Sequence, residues 1–209
     1  MRQKEAALRA APGIAGAIIA GGQSQRMGQD KALLRFGATT LIEAVIARLA
    51  PQAATLFINA NGDARRLAFT GLDIVADAEQ WRGAGPLAGV CAALRFAQGL
   101  GWAELATAPC DAPSLPLDFV ARLAAAKTAS GACVAAARGP RGLEPMFALW
   151  SVSAVTALEA RLARGQNSLR EAIAALGGVE AAFAAANGGD LFANLNTPAD
   201  VARAGKAEL

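Results

Sequence analysis

The chain has 209 residues, a length that fits one domain with at most a small appendage. It contains no His and no Tyr. That excludes Ser-His-Asp and Cys-His nucleophile systems within the chain, HExxH zinc sites, His-ligated haem and the two-His-one-carboxylate iron site. The net charge is +3, with no run of adjacent basic residues longer than Arg65-Arg66, which argues against a nucleic-acid patch and suits phosphate-bearing small molecules.

Residues 1–12 read as an N-terminal extension ending at Pro12. The opening MRQKEAALRAAP carries charges and lacks a long apolar run, so no secretory leader is expected and the default compartment is the cytoplasm. No apolar stretch reaches the roughly 18 residues of a membrane span. Ile14–Ala20 (IAGAIIA) is a continuous apolar run and predicts a strand buried on both faces, stopped by Gly21-Gly22. After a loop through Lys31, Thr39 or Thr40 caps a predicted helix running to about Ala50, with Glu43 at capping-box distance from Thr40.

Thr55–Ile58 is a second predicted strand, ended by the turn signal Asn59-Ala60-Asn61-Gly62, and Leu72–Val75 is a third. Gly83–Pro86 is a loop, with Pro86 the first residue of a helix through Phe96. Leu105–Ala108 is a fourth strand, Leu117–Lys127 a helix, Ala132–Ala137 a fifth strand and Phe147–Trp150 a further strand. Residues 152–185 are Ala-rich and expected to be helical, interrupted near Gly165 and Gly177-Gly178. Asn194–Asp200 reads as a turn before a short C-terminal helix, with Thr197 as cap and Pro198 as first helical residue. Alternation of strands with helices predicts an α/β fold, a mostly parallel sheet covered by helices on both faces. The 55 alanines predict a core of closely packed helices with few large aromatics. Cys91, Cys110 and Cys133 form no CxxC and read as buried small hydrophobes.

Sheets of this kind bind ligands at the carboxyl ends of their strands, and there the sequence places its polar clusters. Ile19–Leu34 (IAGGQSQRMGQDKALL) combines a glycine pair, where backbone amides approach a ligand closely, with Arg26 and Lys31. It is neither a Walker A loop nor a GxGxxG fingerprint, yet it suits a polyphosphate. Asp111, between two prolines in APCDAP, taken alone reads as an Asx turn or helix cap; beside a phosphate loop it suits Mg²⁺ held by one carboxylate plus substrate phosphates. Asp77 ends the third strand, suited to a ribose or base edge or simply to its own loop. Gly85–Gly89 (GPLAG) exposes amides at a helix start. Asn194 and Asn196 present amides on one side of a turn, although on physics alone a turn with a capped helix is the stronger explanation.

Together, Ile19–Leu34, Gly85–Gly89, Pro109–Pro113 and Asn194–Asp200 resemble the molybdenum cofactor guanylyltransferase (MobA) family, whose patterns LAGGxSxRMGxDKxLL, GPLAG, PCDxP and NxNTPxD they match in order. Gly21-Gly22 and GPLAG favour guanylyl transfer, since related cytidylyltransferases usually carry Ala-Gly in place of the glycine pair. The resemblance implies a Rossmann-like nucleotidyltransferase, residues 13–209 as one domain, Mg²⁺, and GMP transfer from GTP to the molybdopterin cofactor with release of pyrophosphate. It implies GTP contacts at Ile19, Ala20, Gly21, Gly22, Lys31, Asn59, Asp77 and Asp111, with Asp111 the metal ligand. Arg26 and Gly28 would border the triphosphate, with Asp111, Lys31 and Arg26 carrying the catalysis. Asn194, Asn196 and Thr197 would lie toward the pterin. GTP and the molybdopterin cofactor are the implied partners, with molybdoenzymes or their chaperones as recipients. A cytidylyltransferase or other nucleotidyltransferase, or a non-catalytic nucleotide-binding adaptor, are the alternative readings.

Overall fold

A computed structural model describes residues 13–21, 30–184, 190–195 and 200. The N-terminal extension, the body of the first loop (22–29) and the anticipated C-terminal helix lie outside the described residues, and with them Gly22, Arg26, Gly28, Asn196 and Thr197.

The first strand, β1 (Ile14–Ile19), is buried along its whole length. Ile14 and Ile18 pack into the core on one face, and Ala15, Ala17 and Ile19 into the core on the other. A small hairpin follows, β2 (Arg35–Phe36) and β3 (Thr39–Thr40), which the sequence did not suggest. It delivers the chain into α1 (Leu41–Leu49), whose start is the expected capping box: Glu43 N donates to Thr40 Oγ1 at 3.4 Å, and Thr40 N donates to Glu43 Oε2 at 2.7 Å. Then come β4 (Thr55–Asn59), β5 (Ile74–Val75), α2 (Pro86–Gly99) and β6 (Glu104–Pro109). The chain continues through α3 (Phe119–Ser130), β7 (Val134–Gly139), β8 (Gly142–Ser151), α4 (Val155–Ala163), α5 (Leu169–Ala175) and β9 (Val179–Ala182).

The main sheet has seven strands in the order β5-β4-β1-β6-β8-β7-β9. Neighbouring pairs from β5 to β6 are parallel, as are β7 and β9, while β8 runs antiparallel to both its neighbours. Helices α1 and α3 cover one face; α2, α4 and α5 cover the other. This is the expected mostly parallel sheet with two helical layers.

Two differences from the sequence expectation follow from sheet pairing. The strand expected at Phe147–Trp150 begins at Gly142, because the turn at Pro140-Arg141 folds it back on β7. Residues 179–182, expected in an Ala-rich helix, form an edge strand on β7. The helical stretch does break where glycines allow it: Gly165 and Gly177 both have positive φ (73° and 63°). Beyond Gly177 the backbone of Gly178 passes so close to Ile173 and Val134 that an added Cβ would lie 2.6 Å and 2.8 Å from their side chains. That close passage leads the chain onto the sheet edge, where ladder bonds override alanine's helix propensity.

Buried polar groups bolt the layers together. Trp150 Nε1 donates to Thr107 Oγ1 at 3.1 Å, and that hydroxyl donates to Met146 O at 3.0 Å, joining β6 to the antiparallel β8. Gln52 Nε2 donates to Pro116 O at 2.8 Å, and its Oε1 accepts from Val120 N at 3.0 Å, satisfying a first-turn amide of α3.

Candidate nucleotide and metal site

Three central parallel strands end side by side, and their ends line one cleft of about 450 Å³. From β1 come Ile19, Ala20 and Gly21; from β4, Asn59; from the segment after β5, Asp77; from the end of β6, Cys110 and Asp111. The start of α2 (Gly85, Pro86, Gly89), together with Lys31, Met146 and Asn194, completes the wall. Register brings them together: Ile19 pairs with Asn59 on one side and Pro109 on the other. The strands are tied past their ends, since Ala20 N donates to Asn59 O at 2.8 Å and Cys110 N to Ile19 O at 3.2 Å.

Of the residues expected at the site, Ile19, Ala20, Gly21, Lys31, Asn59, Asp77, Asp111 and Asn194 meet in this cleft. The sequence had placed Asp77 at a strand end, and the structure shows what fixes its orientation. One carboxylate oxygen accepts from Asn59 Nδ2 at 2.9 Å and the other from Asn61 Nδ2 at 2.7 Å, while Asp77 N donates to Asn61 Oδ1 at 3.0 Å. Asn59 Nδ2 also reaches Val75 O at 3.1 Å, so its orientation is set and its Oδ1 is left buried without a partner. Asn59 Oδ1 lies against α2: a Cβ on Gly89 would come within 2.4 Å of it. Glycine at position 89 is therefore required for close approach of helix and strand.

Lys31 and Asp111 stand together, Lys31 Nζ lying 3.8 Å from Asp111 Oδ2. Burial raises the Asp111 carboxyl above the usual carboxylate range; the Lys31 charge and a backbone hydrogen bond offset this in part. Its neighbour Cys110 is pushed up to about 12, chiefly by burial, so the thiol stays protonated and is no nucleophile at neutral pH. Asp30, which the motif carried without a role, caps the turn that bears Lys31, its Oδ1 accepting from Ala32 N at 3.1 Å. Arg66 makes an ion pair with Asp30 and donates to Asn61 O at 3.3 Å, linking the Lys31 turn to the loop after β4. Nothing in the spacing of Arg66 announces that link, because it exists only between loops.

A carboxylate fit for Mg²⁺ must face the cleft and have lone pairs to give. Asp77 is held by two asparagines and Asp30 by Arg66, whereas among the described residues the charged side chain facing Asp111 is Lys31, 3.8 Å away. Among the described residues there is no cluster of three or more metal-ligating side chains. One carboxylate completed by substrate phosphates is the donor set Mg²⁺ commonly accepts, so Asp111 fits the ion.

Polar groups gathered at the carboxyl ends of parallel strands mark the place where open α/β sheets bind their ligands. Comparison with known proteins narrows the class. The family model for the MobA-like NTP transferase domain matches residues 16–192, and the chain belongs to that family of nucleotidyltransferases. It is 42% identical over 190 residues to the molybdenum cofactor guanylyltransferase of Cereibacter sphaeroides, covering 90% of this chain and 94% of that protein. It is 39% identical to the protein of that name from Mesorhizobium japonicum, covering 92% and 95% respectively. Molybdopterin-guanine dinucleotide biosynthesis protein A from Archaeoglobus fulgidus shares the fold, with a TM-score of 0.74 at 22% identity over 92% of this chain and 97% of that one. Among the described residues no helix is long and apolar enough to cross a membrane.

Proposed function

We propose that this nucleotidyltransferase moves GMP from GTP to the molybdenum cofactor, yielding the guanine dinucleotide form and pyrophosphate, with Mg²⁺ at Asp111. The observation that carries the chemistry is the Lys31–Asp111 pair, 3.8 Å apart, with Asp111 just beyond the end of β6. The relatives named for this reaction supply the substrates.

The acceptor's terminal phosphate attacks the α-phosphorus of GTP; a new P–O–P bond forms and the bond to the β-phosphate oxygen breaks, releasing pyrophosphate. A phosphate nucleophile is already ionised, so the chain needs neither a covalent nucleophile nor a strong base. That agrees with a sequence without His and with a protonated Cys110. Catalysis then rests on positioning and on charge placed in advance. Lys31 offsets charge on the triphosphate, and the Ile19–Gly21 backbone borders it. Asp111 would hold Mg²⁺, which supplies charge neutralisation on phosphate oxygens when bound. Arg26 belongs to the same loop and is assigned to the leaving pyrophosphate. Asn59, which lines the cleft and holds Asp77, is assigned to the nucleoside side.

The test is pyrophosphate release with molybdopterin cofactor and Mg²⁺, comparing GTP with CTP. Release with GTP alone is expected. Release with CTP alone would move the protein to cytidylyl transfer, and release with neither would overturn the reading.

A further inference from the structure

The segment 190–195 belongs to no strand or helix, yet it is held at three points. Leu195 N donates to the backbone oxygen of Asp111 at 2.9 Å, and the Leu195 side chain packs with Phe36 and Leu41. Phe192 is wholly buried, its ring centroid 4.7 Å from Phe147 and 5.2 Å from Phe183. The third point is Arg141, at the tip of the β7–β8 hairpin and outside the cleft. Its Nε lies 2.9 Å from Asp190 Oδ2, and its Nη2 donates to Phe192 O at 3.2 Å. The other Asp190 oxygen accepts from Phe192 N at 3.0 Å. One guanidinium fork therefore fixes both the side chain that begins the segment and a carbonyl in its middle.

Between these anchors lies Asn194, which lines the cleft. Strand order decides what it faces. Asn59 and the segment carrying Asp77 come from the β4–β5 side of Asp111, while Met146 comes from β8 on the other side, where Phe192 packs against Phe147 of the same strand. With the nucleotide on the first side, as the proposed function requires, the second side is left to the acceptor.

We propose that Arg141 is a positioning residue for the acceptor substrate. Through Asp190 and Phe192 it holds the segment 190–195, so that Asn194 stays at the acceptor side of Asp111. The proposal rests on the reading given above for the reaction. It differs from general structural support in being one-sided, because among the described residues Arg141 bonds to Glu144, Asp190 and Phe192 and to none assigned to GTP.

The experiment is steady-state kinetics of Arg141→Ala and Asp190→Asn with both substrates varied, alongside hydrogen–deuterium exchange of the full chain. Both variants are expected to raise the acceptor KM about tenfold, the effect of one well-placed charged contact, with the GTP KM unchanged. The double variant is expected to be no worse than Arg141→Ala alone, because that substitution already removes the Asp190 contact along with the one to Phe192 O. Arg141→Lys keeps the ion pair without the fork and is expected to restore part of the loss. Exchange is expected to rise in peptides covering 190–195 and not in those covering β1 or β6. Equal losses toward both substrates, or unchanged acceptor KM and exchange in both single variants, would overturn the proposal. If the wild type transfers nothing to any acceptor, the reading of the reaction fails, and exchange alone then decides the latch: a rise in 190–195 sustains it and no rise overturns it.

Discussion

At the residue scale the site is a compromise between stability and charge. Asp111 is largely buried and its pKa is raised, mainly by desolvation. Its folded-state value lies above its unfolded one, so the neutral acid suits the fold better than the anion. The ionised form costs stability at neutral pH, and the cost disappears as pH falls through the raised value. Two outcomes follow. Asp111→Asn is expected to lower turnover by ~10²–10³, while Tm at neutral pH stays at or above wild type. The partly exposed contact it forfeits with Lys31 is worth only about 0–1 kcal/mol. A lower Tm would contradict the burial argument, and near-normal turnover would remove Asp111 from the chemistry. Gly89 is constrained from the opposite direction. In Gly89→Ala the new methyl meets Asn59 Oδ1 at 2.4 Å, and Asn59 is tied to Val75 and Asp77. A stability loss of about 1–3 kcal/mol, read from urea midpoints, is expected together with weaker GTP binding.

At the element scale the site depends on the ends of β1, β4 and β6 coming level, and on β8 closing the far side. Thr107 is the joint between β6 and β8, with Trp150 Nε1 bonded to its hydroxyl inside the core. Thr107→Val keeps the shape and removes the acceptor, so an indole N–H is left buried and unpaired. The expected cost is about 1–3 kcal/mol, read as a lower urea midpoint with unchanged slope. Much at this scale was legible beforehand. The doubly buried β1 followed from an uninterrupted apolar run, and α1 from Thr40 and Glu43. What local pattern missed was the β2–β3 hairpin, β9 and the length of β8. Val179–Ala182 is as alanine-rich as the helices before it, and only the open edge of β7 makes it a strand. The β8 start at Gly142 includes Glu144 and Pro145, which carry no strand signal; pairing with β7 and the irregular register near Ala136 and Ala137 accommodate them.

For the whole molecule, nucleotide binding is expected to be visible as stabilisation. GTP at a hundred times its Kd contributes about 2.7 kcal/mol, or ~5–10 °C in Tm for a chain of this size. The shift is expected to require Mg²⁺ in full and to shrink in Lys31→Ala, whose affinity for GTP is expected to fall about tenfold. Lys31→Ala with an undiminished shift would disconnect the first loop from the phosphates.

The sequence by itself determined the chemistry available to this protein and where along the chain it lies. A chain without His is confined to carboxylates, Lys, Arg, Cys, hydroxyls and backbone amides, and the motifs carrying Lys31, Asp111 and Asn194 are contiguous runs that point to a use only when taken together. The family resemblance drawn from those runs agrees with the family match over residues 16–192. Only the tertiary structure decided how those groups are held. The Asn59–Asp77–Asn61 lattice, the Arg66 link to Asp30, the glycine required at 89 and the Arg141 hold on segment 190–195 join residues from different loops and strands. Their physical cause is spatial adjacency created by strand order and register, which no local periodicity encodes.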